Sequence, residues 1–241
     1  MEFSCKLFIL VLLLPIIGRC SADFSHLECN KNFTIFSNNN QKQNIGLVIS
    51  DLSAKPEEGF AASFRTLNSE TIYGLTQCRG DINLETCLAC ILKATQTIQT
   101  ACPYSAEAQI WLDQCTLRYG SDNFVGQADT SYARFWTSIK PAMNSIAFEN
   151  SVDIALGVAK VYAMTTGSKF GAMASKVVNS DLVVYGMAQC TRDLPEFACG
   201  QCLDSLLAVR STGCKGRVGC RVVGRSCTVR IENFNFLSTI F

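Results

Sequence analysis

Cysteine is the residue type on which any chemistry in this chain would turn. Cys78, Cys87, Cys90, Cys102 and Cys115 recur as Cys190, Cys199, Cys202, Cys214 and Cys227, each displaced by 190 − 78 = 112 residues. A Cys-x-x-Cys pair at this spacing suits a zinc site, a thioredoxin-like redox centre or a disulfide framework. Zinc needs a second pair of Cys or His nearby, and the one histidine, His26, lies outside both repeats. A redox pair would have to be present twice, each time with further cysteines at fixed distances. The shortage of histidine also removes a Ser-His or Cys-His nucleophile, and no pair of carboxylates suited to glycoside hydrolysis recurs in both copies. The residues therefore favour disulfides, with no metal, no cofactor and no enzymatic activity expected.

The compartment follows from the amino terminus. A positive Lys6 precedes the apolar run Leu7 to Ile17, and Cys20-Ser21-Ala22 supplies small residues for cleavage. This pattern reads as a signal peptide over 1–22, too short in its apolar part to cross a bilayer. Cys5 and Cys20 leave with it, so 14 − 2 = 12 cysteines remain, six in each half. An even count per half in an exported chain fits three disulfides per small domain. The formal net charge of +1 gives no basic footprint for nucleic acid or an anionic membrane. No stretch after Cys227 is long enough to serve as a membrane anchor, so the expected product is soluble and extracellular. Asn32-Phe33-Thr34 is the one N-glycosylation sequon.

The elements that must position these cysteines can be read from periodicity. YGLTQCRGDINLETCLAC, Tyr73 to Cys90, returns as YGMAQCTRDLPEFACGQC, Tyr185 to Cys202, so the chain is a duplication with two copies, too few for a solenoid. Domains are expected over 23–127 and 132–239, separated near the Gly- and Asp-rich stretch Gly120 to Ser131. Such a short linker implies a fixed relation between them.

Within the first half, Lys31 to Phe36 reads as a strand, Ile45 to Leu52 as a helix stopped near Pro56, and Gly59 to Arg65 and Thr71 to Cys78 as strands. Cys87, Cys90, Ile91, Ala94 and Ile98 share one helical face, and Cys199, Cys202, Leu203 and Leu206 repeat it. Ile110 to Tyr119 supplies closing strands. The second half repeats the order with Tyr132 to Trp136, a helix over Phe148 to Ala163, strands over Phe170 to Val178 and Leu182 to Gln189, and closing strands at Val222-Val223 and Thr228 to Phe234. Strands and helices are segregated, which predicts α+β with antiparallel sheets.

Six cysteines allow 15 pairings per domain, and spacing does not choose among them. The 112 shift carries Cys29 to Pro141 and relates Cys220 to Ala108, so each half owns one cysteine that the other lacks. If the shared five keep their pairing, Cys29 and Cys220 must bond to equivalent partners.

The repeated C-x8-C-x2-C, together with CTLRYG and GCRVVGRSC, resembles the ginkbilobin-type module of plant cysteine-rich repeat secretory proteins. The resemblance covers essentially the whole chain after residue 22. It implies two tandem domains, each an antiparallel sheet packed against two helices and held by three disulfides. Carried onto this chain, the family pairing is Cys29–Cys102, Cys78–Cys87 and Cys90–Cys115, then Cys190–Cys199 and Cys202–Cys227, with Cys214 left for Cys220.

The resemblance also implies a secreted, non-enzymatic binding protein, defence-related or directed at cell-wall or fungal glycans in a lectin-like, antifungal way. The alternative is a protein–protein module that partners receptor-like kinases or other tandem-domain ectodomains. Mannose-binding members use an Asn, an Arg and a Glu. The Asn position is Asn30 in the first domain, where Gln109 and Gly120 fill the other two. In the second domain Arg221 and Glu232 match, and the Asn position falls near Ala142. Neither domain holds the full set, so mannose binding is expected to be weak or absent, with Arg221 and Glu232 a solvated cross-strand pair. Phe234, Phe236 and Phe241 are the aromatic candidates for a partner surface or for core packing.

Overall fold

A computed structural model describes residues 24–30, 39–54, 56 and 58–238. The segment 1–22, the strand expected over Lys31 to Phe36, the Asn32 sequon and Phe241 lie outside the described residues.

Two five-stranded antiparallel sheets, each covered on one face by two helices, give the α+β tandem architecture. The first domain runs β1 (Ser25–Cys29), α1 (Asn39–Ala54), β2 (Phe60–Leu67), β3 (Glu70–Cys78), α2 (Leu84–Ala101), β4 (Ala108–Leu112) and β5 (Cys115–Gly120). The second repeats it as β6 (Ala133–Thr137), α3 (Ser145–Thr165), β7 (Phe170–Lys176), β8 (Val183–Cys190), α4 (Glu196–Gly213), β9 (Cys220–Gly224) and β10 (Cys227–Glu232). Strand order is β1-β4-β5-β3-β2 and β6-β9-β10-β8-β7. The first strand thus falls on Ser25–Cys29, immediately before the stretch in which alternation was read. The last ends at Glu232 instead of Phe234.

Local chemistry sets the helix ends. Asn83 caps α2 by accepting from the Thr86 amide at 2.9 Å, satisfying one of the donors that a helix start leaves open. Asn144 caps α3 in the same way through the Ala147 amide. The cysteine stripe read from sequence is the buried face of α2, with Cys87, Cys90, Ile91, Ala94 and Ile98 all inside. Each helix lies close on its sheet, and glycine makes the approach feasible. A Cβ on Gly74 would stand 2.3 Å from Val48, and one on Gly171 would stand 2.1 Å from the Ala159 carbonyl oxygen.

The second helix of each domain is stapled to three strands. In the first domain Cys78–Cys87, Cys90–Cys115 and Cys29–Cys102 tie α2 to β3, β5 and β1. In the second, Cys190–Cys199, Cys202–Cys227 and Cys214–Cys220 tie α4 to β8, β10 and β9. The strand register explains how one bridge moved. Cys29 faces Ala108, and the corresponding pair in the second domain is Thr137 facing Cys220. The cysteine has crossed to the neighbouring strand at the same register position. The counterpart of Cys29 is therefore Thr137, not Pro141, because the second domain spends 190 − 137 = 53 residues where the first spends 78 − 29 = 49.

This difference changes how much chain each bridge closes. Removing Cys29–Cys102 with paired Ser substitutions is expected to cost about 2 to 5 kcal/mol. Removing Cys214–Cys220 should cost about 2 kcal/mol less, because the separations are 73 and 6 residues. Urea unfolding of the two double variants measures both.

Candidate functional site

The sheet faces turned away from the helices meet each other, and the contact repeats itself about an approximate two-fold axis. Gln77 donates to the Cys190 carbonyl at 2.8 Å, and Gln189 donates to the Cys78 carbonyl at 2.8 Å. These residues are related by the 112 shift. Trp111 donates through Nε1 to the Gly224 carbonyl at 2.9 Å, and Gln109 through Nε2 to that of Arg225 at 2.9 Å.

The segments leaving the last strand of each domain obey the same symmetry. After β5, the Gly126 amide reaches Asp193 of the second domain at 2.6 Å. After β10, the Ser238 amide reaches Asp81 of the first at 2.7 Å. Phe124 lies under the Arg118 guanidinium at 4.1 Å as Phe236 lies under that of Arg230 at 4.2 Å. Each domain is gripped by the exit segment of the other.

Two ion clusters flank this contact. Asp113 receives Arg221 in a very short contact, Arg230 at 3.1 Å and Arg79 at 3.7 Å. Arg79 also pairs with Asp81 and Arg230 with Glu232, so three guanidiniums meet three carboxylates. Glu107 and Asp129 between them hold Arg118 and Arg225 at 3.1–3.6 Å, two charges against two.

Burial by itself would raise the Asp113 carboxyl, but attraction to Arg221, its hydrogen bond, and Arg230 and Arg79 hold it below the usual carboxylate range. Burial, reinforced by neighbouring Arg230, brings Arg221 down to about 10. That value still leaves it charged at neutral pH. The cavity between the sheets is about 60 Å³, lined by Gln77, Trp111, Met187, Gln189 and Arg221 among others. It has room for ordered water and falls far short of a small-molecule site.

At one end of the contact the aromatic rings of both domains stack. His26 lies 5.3 Å from Trp111 and 4.8 Å from Trp136, centroid to centroid, and Trp111 stacks on Tyr132 at 5.5 Å. Tyr132 donates to Glu28 at 2.9 Å and meets His26 Nε2 at 2.6 Å. Burial lowers the His26 pKa, opposed by Glu28 and assisted by Arg134. Burial and the hydrogen bond to Glu28 raise that of Tyr132.

The sugar-site candidates are separated by this arrangement. Asn30 donates to Glu107 at 3.3 Å in the first domain. Arg221 is buried between the domains, beneath Phe24 and against Asp113. The expected solvated cross-strand pair is absent: Arg221 faces Arg230 across the strands, while Glu232 faces Tyr185 and is bonded to Arg230. Arg221 is buried because its own sheet face is covered by the other domain. The position equivalent to Asn30 is Ser138, not Ala142, since both amides bond the matching carbonyls of Glu107 and Gly219.

Phe236 packs beside Phe170, Ala172 and Met187, whereas Phe234 is half exposed. Asp113 and the reciprocal glutamines are the residues that sequence reading missed. The repeated Gln, the Asn-Phe-apolar triplets at 123–125 and 235–237, and Asp81/Asp193 were the available signals.

Comparison with known proteins places this geometry. The family described as salt stress response/antifungal matches residues 20–122 and again 124–234. Cysteine-rich repeat secretory protein 55 of Arabidopsis thaliana is 31% identical over 231 residues, covering 93% of this chain and 88% of that protein. An antimicrobial ginkbilobin-2-like protein of Castanea crenata is 34% identical over 197 residues, covering 80% of each. The crystal structure of a tandem DUF26 ectodomain from an Arabidopsis thaliana cysteine-rich receptor-like protein superposes with a TM-score of 0.74 at 27% identity. That match covers 86% of this chain and 96% of the other.

Asp113→Ala is expected to lower stability by about 3 kcal/mol, because it leaves buried guanidiniums facing one another. Chemical unfolding of this variant checks it. His26 and Asp113 both have lowered pKa values in the fold, so each binds protons more readily when unfolded. Stability is therefore full above the ordinary imidazole value of about 6.5, falls as pH drops below it, and falls again below about 4. Melting temperature followed against pH should show both steps, and His26→Phe should remove the upper one.

Proposed function

The chain belongs to the salt stress response/antifungal family, and from that membership we propose that it acts outside the cell as a defence-type binding protein that recognises a target without transforming it. A leader over 1–22 directs it to the secretory pathway, and domains over 23–127 and 132–239 form the exported body. The names of its relatives, a secretory protein and an antimicrobial protein, support this reading.

The observation that carries it is the fate of the ionisable groups at the domain contact. In the two ion clusters each arginine meets a carboxylate and each carboxylate meets an arginine. Such mutual neutralisation builds a rigid joint and leaves no poised acid, base or nucleophile facing the small cavity between the sheets. Recognition is then a property of the outer surface. Among targets, cell-wall or fungal glycans are the first class, bound elsewhere than at the Asn30, Arg221 and Glu232 positions, because Arg221 is held by Asp113 and Asn30 by Glu107.

A second reading, a receptor-ectodomain partner, is favoured by the exposed row Leu84, Leu88 and Leu92 along α2.

Calorimetry with mannose should give no binding heat, and Arg221→Ala should lower the melting temperature while leaving any signal on a glycan array intact. Mannose heats that vanish in Arg221→Ala would overturn this assignment. An array without any glycan signal, together with retention by a receptor ectodomain, would favour the second reading.

A further inference from the structure

The end of the second domain opposite its link to the first carries an unusual combination of side chains. Ile139, Met143 and Ile146 are 93%, 82% and 76% exposed, the three highest values among the large apolar residues described. They sit on the segment between β6 and the first turn of α3. That segment packs beside the turn 214–220. The Ala142 amide bonds the Gly216 carbonyl at 2.8 Å, the Val218 amide bonds the Lys140 carbonyl at 3.2 Å, and Arg217 donates to the Ile139 carbonyl at 2.8 Å.

Lys140, Lys215 and Arg217 stand on these two loops, and neither 138–146 nor 214–220 contains an acidic residue. None of the three cations is paired with a carboxylate among the described residues. The nearby acids are occupied, Glu149 by Arg210 at 2.6 Å and the Gly216 amide at 2.6 Å, and Glu232 by Arg230.

The first domain provides an internal control. Its counterpart turn, 102–108, has no basic residue and carries Glu107. The displaced bridge Cys214–Cys220 closes the turn bearing Lys215 and Arg217, so the basic loop is covalently braced.

We propose that this end of the second domain docks on an anionic bilayer, Ile139, Met143 and Ile146 entering the headgroup layer while Lys140, Lys215 and Arg217 bind lipid phosphate and carboxylate groups. Isolated, protruding apolar side chains need no complementary pocket to be buried in a lipid interface, and flanking cations with long stems reach the headgroups around them. An acidic protein would match the cations but offer nothing in particular to three side chains that stand almost free of the surface. The net charge of +1 does not oppose this, because the ion clusters elsewhere cancel internally and leave the basic loops as a local feature. The contact is peripheral, since no helix of the described residues is long and apolar enough to cross a membrane. It stands independently of which target the protein recognises.

The test is co-sedimentation of the intact protein with vesicles of phosphatidylcholine alone and of phosphatidylcholine mixed with phosphatidylserine. Pelleting is expected with the mixed vesicles only, and should weaken as salt is added. Lys140→Glu combined with Lys215→Glu should reduce the partition coefficient at least about 25-fold, each lost cation contributing roughly fivefold. Ile139→Asp combined with Met143→Asp should abolish pelleting without changing the melting temperature, and Leu88→Asp on α2 should leave it unchanged. Absence of pelleting, equal pelleting on both vesicles, or variants that bind like the parent would overturn the proposal. So would retention on a heparin resin that is sensitive to the lysine substitutions in a protein that does not bind vesicles.

Discussion

A β-sheet has two faces, and each domain of this chain has helices for only one of them. The remaining faces must be covered or made polar throughout, and here they are covered by each other. Backbone carbonyls at the ends of β3 and β8 are bonded by the glutamine of the opposite domain, so the cover is specific as well as apolar. The aromatic stack, the ion clusters and the gripping exit segments all lie on or around this one contact. The rigid relation of the domains follows from it.

Charge is used in this contact as structure. Guanidinium groups under a second sheet would be costly if solitary, and the buried ones are matched by carboxylates of their own domain, of the facing domain or of the segment after β5. Asp113 is the clearest case, since it lies on the first domain and two of its three arginines lie on the second. Burial that would otherwise raise its carboxyl is overcome by these neighbours. The same economy applies to Arg79 and Asp81, which form a close pair while Arg79 donates to the Phe236 carbonyl and Asp81 accepts from the Ser238 amide. The charged ends of the Arg79-Gly80-Asp81 sequence are thus buried and occupied, while Gly80 between them is exposed.

Much of the fold was legible because it rests on local periodicity and on duplication. The cysteine stripe on α2, the strand pairs and the segregation into an α+β tandem all leave a pattern within a few residues of themselves. The first strand did not, because Ser25–Cys29 is short and its partner, β4, lies about eighty residues further on. The register shift that equates Cys29 with Thr137 was hidden by a four-residue difference in length, which a constant offset cannot express. The ionic joint was less legible still. Arg221 is buried against Asp113 of the other domain, and Glu232 is bonded to Arg230. The first of these depends on a domain that the local sequence does not mention.

The reciprocal grip of the exit segments has a consequence for how such modules can be multiplied. Gly126 occupies the acceptor at Asp193, and Ser238 occupies the one at Asp81, so neither domain retains a vacant receiving place. An isologous contact of this kind is closed once both halves are present. A longer chain assembled from the same unit would grow by adding self-contained couples, joined to one another by other surfaces, and an odd member would be left with a bare sheet.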